Sequence, residues 1–415
     1  MPPQLAPEIQ TRSALKPASD LELNARFLSP SLDLPWSQDI VALRRDFHEH
    51  PELGYEETRS SDIIAQRLRT LGFEVRTGVG KTGVIGTLKN GEGPLILVRA
   101  DMDALPIHEQ NEWDWKSGVS GKMHACGHDC HMAIGLSVAR LLSENRDWNG
   151  TLKMMFQPAE EGGNGAGAMI SDGLLDPKPD AALALHVWSD LASGQVGFRE
   201  GPLMAAADLF TARIFGRGGH GASPHQAIDP VLIAAHLVTA LQSIVSRTVN
   251  PLQPAVVTVA SIHAGDAFNV IPDEATIAGT TRAFDEPTRD LLERRVREII
   301  ETLPQVWGAR GVCDYQRAYP PTVNDARITN LARAAVQEEI GADNVVLGEP
   351  TMGAEDMSLV LQQVPGCYFF VGGRNESIGA TYPHHHPKFN VDEECLHIGA
   401  RSMAAAVRKC FEELA

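Results

Sequence analysis

The chain has 415 residues, more than one ordinary core holds, which points to about two domains. With 43% hydrophobic and 21% charged residues it has enough apolar material to offset chain entropy, so its bulk is not disordered. Its formal charge of −17, with no basic stripe carrying interleaved aromatics, excludes binding to a phosphate backbone. Residues 1–38 are expected to form an N-terminal extension. Pro2, Pro3, Pro7, Pro17, Pro30 and Pro35 break its helical register, and it has no charged-then-apolar-then-small secretory pattern. No apolar run reaches the roughly 18 residues of a membrane helix. Six cysteines are too few for a disulfide scaffold, so a reducing, cytoplasmic location is expected.

From Asp39 the pattern becomes regular. Ile40, Leu43 and Phe47 recur at helical spacing, as do Ile64, Leu68 and Leu71, and Gly72 offers a stop. Strands are expected at 73–76, 83–88 and 94–99; the last is apolar throughout, as in a central strand covered on both faces. A helix follows near 132–145, then a strand at 152–156, a helix start after Gly162 and a strand at 181–185. Strands alternating with helices imply an α/β domain with a mostly parallel sheet. The rhythm then changes to strand (from Leu209), helix (230–247), strand (255–263), strand (275–282), helix (287–306) and strand (312–317). That βαββαβ order is the ferredoxin-like unit. The α/β pattern resumes with a helix at 326–340, a strand at 368–371 and a helix at 392–414. The expected organisation is therefore a first α/β part at 39–195, an inserted domain at 196–317 and a second α/β part at 318–415.

Chemistry-bearing residues collect past the predicted strand ends: Asp101 and Asp103, then Glu160 and Glu161, then His186. In open α/β sheets ligands bind beyond the carboxyl ends of the strands, so these point to one site. The densest cluster runs from Met123 to His131 and holds His124, Cys126, His128, Cys130 and His131. Cys126 and His128 can place a thiolate and an imidazole on one divalent ion, a mixture that suits zinc and tolerates other first-row metals. Cys130 and His131 suit packing at the helix start equally well. Glu160 and Glu161 sit side by side on a turn. One can bind metal while the other faces substrate and moves a proton, although read alone the pair equally suits an acidic helix N-terminus. His384, His385 and His386 form a Pro-flanked run that either reaches the metal or lies on the surface. In the inserted domain, His220 between glycines is either idle or aimed at a ligand. Arg282 can grip a carboxylate, or be an ordinary surface arginine.

Three strings resemble the M20 metallopeptidase family: Arg99-Ala100-Asp101-Met102-Asp103-Ala104-Leu105-Pro106, His124-Ala125-Cys126-Gly127-His128-Asp129 and Gln157-Pro158-Ala159-Glu160-Glu161-Gly162. They look like the branch holding auxin-conjugate hydrolases, hippurate hydrolases and N-acyl-amino-acid amidohydrolases. The match runs from about Ile40 to the C-terminus. The resemblance implies two divalent metal ions, zinc above all, with manganese, cobalt or nickel also acceptable. It makes Cys126, His128, Glu161, His186 and His385 the ligands, His385 because its spacing to Pro387 fits best. It makes Glu160 the general base and gives Asp103 the task of orienting a ligand. It places His220 at the neighbouring subunit's site, and Asn269 and Arg282 where the substrate carboxylate binds. Gly353 to Ser358 would line the pocket without acting in the chemistry. The inserted domain becomes a lid and dimerisation domain, giving a homodimer or homotetramer. The expected reaction is hydrolysis of an N-acyl or N-aroyl amino acid to a carboxylic acid and a free amino acid, with no nucleic acid or membrane partner. A dipeptidase or carboxypeptidase of the same family is the alternative. A non-catalytic metal-binding protein on this scaffold would lack the base, and Glu160 is present.

Overall fold

The computed structural model describes residues 37–415, so nearly all of the expected N-terminal extension lies outside the described residues. Helix α1 (Ser37–Glu49) buries Ile40, Leu43 and Phe47, and α2 (Thr58–Thr70) buries Ile64 and Leu68. Strands β1 (Glu74–Val79), β2 (Gly83–Asn90) and β3 (Leu95–Asp101) follow. Next come α3 (His128–Glu144), β4 (Gly150–Gln157), α4 (Gly165–Ser171), β5 (Ala181–Ala192) and two short strands, β6 (Val196–Phe198) and β7 (Gly201–Met204).

The inserted unit contributes β8 (Ala206–Phe215), β9 (Gly219–His220), α5 (Pro230–Arg247), β10 (Ala255–His263), β11 (Val270–Ile271), β12 (Glu274–Ala283), α6 (Glu286–Thr302) and β13 (Arg310–Tyr319). The chain returns through β14 (Thr322–Asn324), which pairs with β7, and continues as α7 (Ala326–Ile340), β15 (Val345–Leu347), α8 (Ser358–Leu361), β16 (Gly366–Arg374) and α9 (Glu394–Leu414).

Eight strands make the large sheet, in the order β1-β2-β4-β3-β5-β16-β6-β15. The four central strands, β4-β3-β5-β16, are parallel; β1, β2 and β6 bring antiparallel pairings to the flanks. Alternation along β3 explains why its run is apolar throughout. Ile96 and Val98 enter the core shared with α1, α3 and α9, while Leu97 enters the core beneath α4 and α8. The second sheet, β10-β12-β8-β13, is wholly antiparallel and packs Phe210, Ala212 and Ile214 against Ile233, Leu237 and Leu241 of α5 and Leu292 and Val296 of α6. This is the ferredoxin-like arrangement that the βαββαβ order predicts.

Local chemistry sets several boundaries. Asp229 accepts from the amides of Val231 and Leu232, and Pro230 opens α5, where a missing N–H costs nothing. The apolar pattern predicts α6 through residue 306, but the helix ends at Thr302 and a 3-10 turn (Leu303–Trp307) takes over. Pro304 has no N–H to continue the ladder. Helix α5 has the length and composition of a membrane span, contrary to the sequence reading. Its inner residues pack on the sheet, and Val231, Leu232 and Val245 are left exposed on its outer side. Two further differences bear on function. Helix α3 begins at His128 rather than near residue 132, and β5 continues to Ala192, so His186 lies within the strand rather than beyond it. β16 runs beside β5 from Ala182 to Ala192 and keeps it extended.

Arg44 ties α1 to the rest of this core. Its fully buried guanidinium donates to Asp129 at 2.7 Å and to Glu393 at 3.3 Å and lies 4.4 Å from the Trp115 ring centre. Burial alone would raise the Asp129 carboxyl, but Arg44 and His48 hold it well below its usual range. Arg44→Ala leaves that carboxylate to His48 alone, so a loss of about 3 kcal/mol is expected in urea unfolding.

Candidate metal centre and active site

The centre begins with a backbone turn that only glycine makes. Gly127 has φ +88°, and a Cβ there would come within 2.3 Å of Val187. The turn leaves Cys126 just before α3 and sets His128 in its first turn. His128 Nδ1 lies 2.8 Å from the Asp103 carbonyl oxygen and donates to it, which leaves Nε2 as the ring's lone-pair nitrogen. His186 is arranged alike: Nδ1 donates to the Val187 carbonyl at 2.6 Å, and Nε2 lies 3.5 Å from Cys126 Sγ.

Two groups of potential ligand atoms result, each with its atoms within 4.8 Å of one another: Cys126, His128 and His186, and Cys126, Glu161 and His385. Cys126 belongs to both. His128, Glu160 and Glu161 form a third group that overlaps them. A divalent ion fits this donor set. The buried Nε2 of His128 has no hydrogen-bond partner, an arrangement that is costly unless its lone pair is used. Thiolate, imidazole and carboxylate together suit zinc-like ions.

The electrostatics suit a cation as well. Burial opposes a charge on His128, yet Asp101 and Asp103 push it up to about 10. Burial, with Glu161, Glu160 and Asp101 nearby, pushes the Cys126 thiol well up. Burial and the neighbouring carboxylates of Glu355, Glu161 and Asp356 push Glu160 well up. A divalent ion at the centre reverses each of these signs.

Structure separates the histidines that the sequence left together. His385 has φ +65°, its amide donates to the Ala125 carbonyl at 2.8 Å, and its Nε2 lies 3.0 Å from Glu161 Oε1. His384 packs among His186, Trp188 and Phe389 and accepts from the Ser189 amide at 3.2 Å. His386 stacks on Tyr382. His131 has both nitrogens engaged, with Asp101 at 2.5 Å and the Val187 amide at 2.9 Å, so it frames His186. Cys130 is buried beside Cys395, and His124 is buried beneath His48.

The turn carrying Glu160 and Glu161 hangs on Asp103. Its Oδ1 accepts the Glu160 amide and its Oδ2 the Glu161 amide, both at 3.0 Å. Asp103 therefore orients the backbone of both acids and, through its carbonyl, the ring of His128. Behind Glu160 sits a buried lattice that sequence reasoning missed. Arg99 donates to Asp101, Glu355 and Gln157, Gln157 donates to Asp356, and the Tyr368 hydroxyl donates to Glu355. Its sequence signals are Arg99, Asp101 and Gln157 within the strings that resemble the family, and Glu355 and Asp356 within Gly353 to Ser358.

The three inserted-domain residues make no hydrogen bond or ion pair with this cluster among the described residues. His220 is exposed on β9, and the amide of the next residue donates to the Asn269 carbonyl at 2.8 Å, so His220 and Asn269 are neighbours. Arg282 lies on the face of β12 opposite the helices, next to Thr280, and burial lowers its pKa.

With this geometry in place, the chain is found to match the model of peptidase family M20/M25/M40 over residues 97–409. It belongs to that family, and it is similar to members named as amidohydrolases and as carboxypeptidases. IAA-amino acid hydrolase ILR1-like 4 of Arabidopsis thaliana is 40% identical over 95% of this chain and 90% of its own length. Thermostable carboxypeptidase 1 of Saccharolobus solfataricus is 41% identical over 88% of this chain and 93% of its own. Among solved structures, the YXEP protein of Bacillus subtilis, described as a dinuclear metal-binding peptidase of the M20 family, superposes with a TM-score of 0.80. It is 34% identical and covers 91% of this chain and 98% of its own.

Proposed function

We propose that this chain is a divalent-metal amidohydrolase that cleaves the amide bond of N-acyl or N-aroyl amino acids. The observation that carries the reading is the pair of ligand groups sharing Cys126, with Glu160 alongside. Zinc is the favoured metal because a thiolate lies at the shared position; manganese, cobalt and nickel also accept its imidazole and carboxylate partners. Ions held by Cys126, His128, Glu161, His186 and His385 would polarise the amide carbonyl and lower the pKa of bound water.

The chain's own residues do the rest. Glu160 takes a proton from the attacking water and delivers it to the amine nitrogen as the C–N bond breaks. Asp103 holds Glu160 and Glu161 at their amides so that the two carboxylates keep separate tasks. Asn269 and Arg282 receive the substrate carboxylate when the inserted domain closes, Arg282 by paired N–H donors. His220, from a second copy of the chain, donates to the developing oxyanion. The open edge of β10 and the exposed Val231, Leu232 and Val245 of α5 support pairing of two inserted domains. A reducing cytoplasm suits the enzyme, since Cys126 binds metal only as a reduced thiolate.

A carboxypeptidase or dipeptidase activity is the second reading, favoured by the similarity to a thermostable carboxypeptidase. The test is hydrolysis of benzoyl-, acetyl- and indoleacetyl-amino acids against simple dipeptides, with metal content measured on the same protein purified without added metal or chelator. About two metal ions per chain are expected, with acyl amino acids turned over faster. Chelation should remove the activity and returned metal restore it. Preference for dipeptides selects the second reading, and protein that takes up no metal overturns both.

A further inference from the structure

The turn from Ala159 to Ala166 is held by side chains more than by its own backbone. Five of its amides are taken by side-chain oxygens: Ala159 by Glu57 at 2.8 Å, Glu160 and Glu161 by Asp103 at 3.0 Å, Asn164 by Tyr319 at 3.2 Å and Ala166 by Asp356 at 2.9 Å. Ala159, just before Glu160, has φ +48°, a left-handed conformation that a residue with a Cβ avoids unless its surroundings impose it. Those surroundings are tight. A Cβ at Gly54 would come within 3.0 Å of Ala159 Cβ, and one at Gly163 within 2.5 Å.

Glu57 is the other unusual member of this region. It is fully buried just before α2, 102 residues from Ala159, and has no ion-pair partner among the described residues. Burying an unpaired carboxylate is expensive. Both of its oxygens are engaged, Oε1 by the Ala159 amide and Oε2 by the Thr82 hydroxyl at 2.6 Å. A charged acceptor holds an amide about twice as strongly as a neutral one. That grip is applied to the residue whose backbone is strained and which immediately precedes the proposed base.

We propose that Glu57 is a positioning residue: by taking the Ala159 amide it keeps Ala159 left-handed and so aims the carboxylate of Glu160. This rests on the reading of Glu160 as the base. Asp103 holds the amides of Glu160 and of the proposed metal ligand Glu161, whereas Glu57 holds only the Ala159 amide, two residues before that ligand. Loss of Glu57 therefore falls on turnover and leaves metal binding alone.

The experiment compares wild type, Glu57→Ala, Glu57→Gln and Glu57→Asp. It measures kcat and KM on whichever amide the wild type cleaves, metal content per chain, and backbone hydrogen exchange by mass spectrometry. Glu57→Ala is expected to lower kcat about 10–100-fold, with KM and metal content within about twofold of wild type. Exchange should quicken in residues 158–166 and not in the central strands. Glu57→Gln keeps an oxygen for the Ala159 amide and is expected to recover to within about threefold of wild type. Glu57→Asp withdraws the carboxylate by one methylene and serves if the alanine variant does not fold. An unchanged kcat, a loss of metal in step with kcat, or a glutamine variant as slow as the alanine one overturns the proposal. If the wild type cleaves none of the amides, the functional reading fails by itself. Exchange in 158–166 then still decides whether Glu57 holds the turn: quickened exchange sustains that claim, and unchanged exchange overturns it.

Discussion

Glu160→Ala is expected to keep its full metal content and to lose about 10²–10⁴-fold in kcat, the usual worth of a positioned proton-transfer group. The expectation follows from the site's division of labour. Glu161 is grouped with Cys126 and His385, whereas Glu160 lies between Glu161 and the buried carboxylates of Glu355 and Asp356. Glu160 is buried in a region of negative charge, and burial together with those neighbours raises its pKa. Bound metal would oppose that rise and leave the carboxyl ionised, while the neighbouring carboxylates keep it basic enough to accept a proton and give it back. Removing it also removes like-charge repulsion, so the metal-free alanine variant should melt no lower than wild type. Metal analysis, steady-state kinetics and thermal melting on one preparation check all three parts. Wild-type turnover in this variant would take the role from Glu160.

Cys126→Ala should empty the centre. The thiol is common to both ligand groups, so its loss damages both positions together, whereas His186→Ala or His385→Ala damages one. Metal affinity should fall by more than about a hundredfold, beyond the effect of losing a supporting residue, and activity should vanish with it. His186→Ala and His385→Ala should retain roughly one ion per chain. Protons provide a second measure. Without metal, the neighbouring carboxylates keep His128 protonated up to about 10, and burial keeps Cys126 a thiol. Loading must displace both protons, so wild-type affinity rises with pH and at least two protons are released per chain. A pH indicator in weak buffer reads them. Release by Cys126→Ala equal to wild type would contradict the assignment.

The architecture was legible where chemistry is local. The bounds of α7 follow from Asp325 as a cap and Gly341 as a stop, and α5 begins where Asp229 and Pro230 require it. The βαββαβ order announced the second sheet because each strand and helix carries its own periodicity. The short strands carry no such pattern: β6 forms along the edge of β16, β15 along β6, and β7 and β14 pair with each other.

The site divides in the same way. Cys126, His128 and the Glu160-Glu161 pair stand close together in the chain, and their residue types proclaim a metal. The distinction among His384, His385 and His386 rests on one left-handed backbone angle and a hydrogen bond to Ala125, neither of which residue counting reveals. His186 seemed to lie past a strand end because nothing nearby in the sequence says that β16 will extend the pairing. Glu57 and the lattice around Arg99 act across 102 and 256 residues respectively, beyond the reach of any local pattern.

The position of β16 in the sheet sets the order in which this protein can mature on the ribosome. β16 (residues 366–374) lies beside β5 (residues 181–192) at the heart of the large sheet, and the whole inserted unit is synthesised between them. While the inserted unit emerges and folds from its own contiguous segment, β5 waits with one side unpaired, an apolar edge open to any other extended chain. His385 leaves the ribosome later still, so the second group of ligands cannot exist until the segment after β16 has emerged. A nascent chain stalled near residue 360 should therefore hold a folded inserted domain beside an α/β half that chaperones still bind, and capture of the full metal complement should wait until β16 and His385 have both emerged.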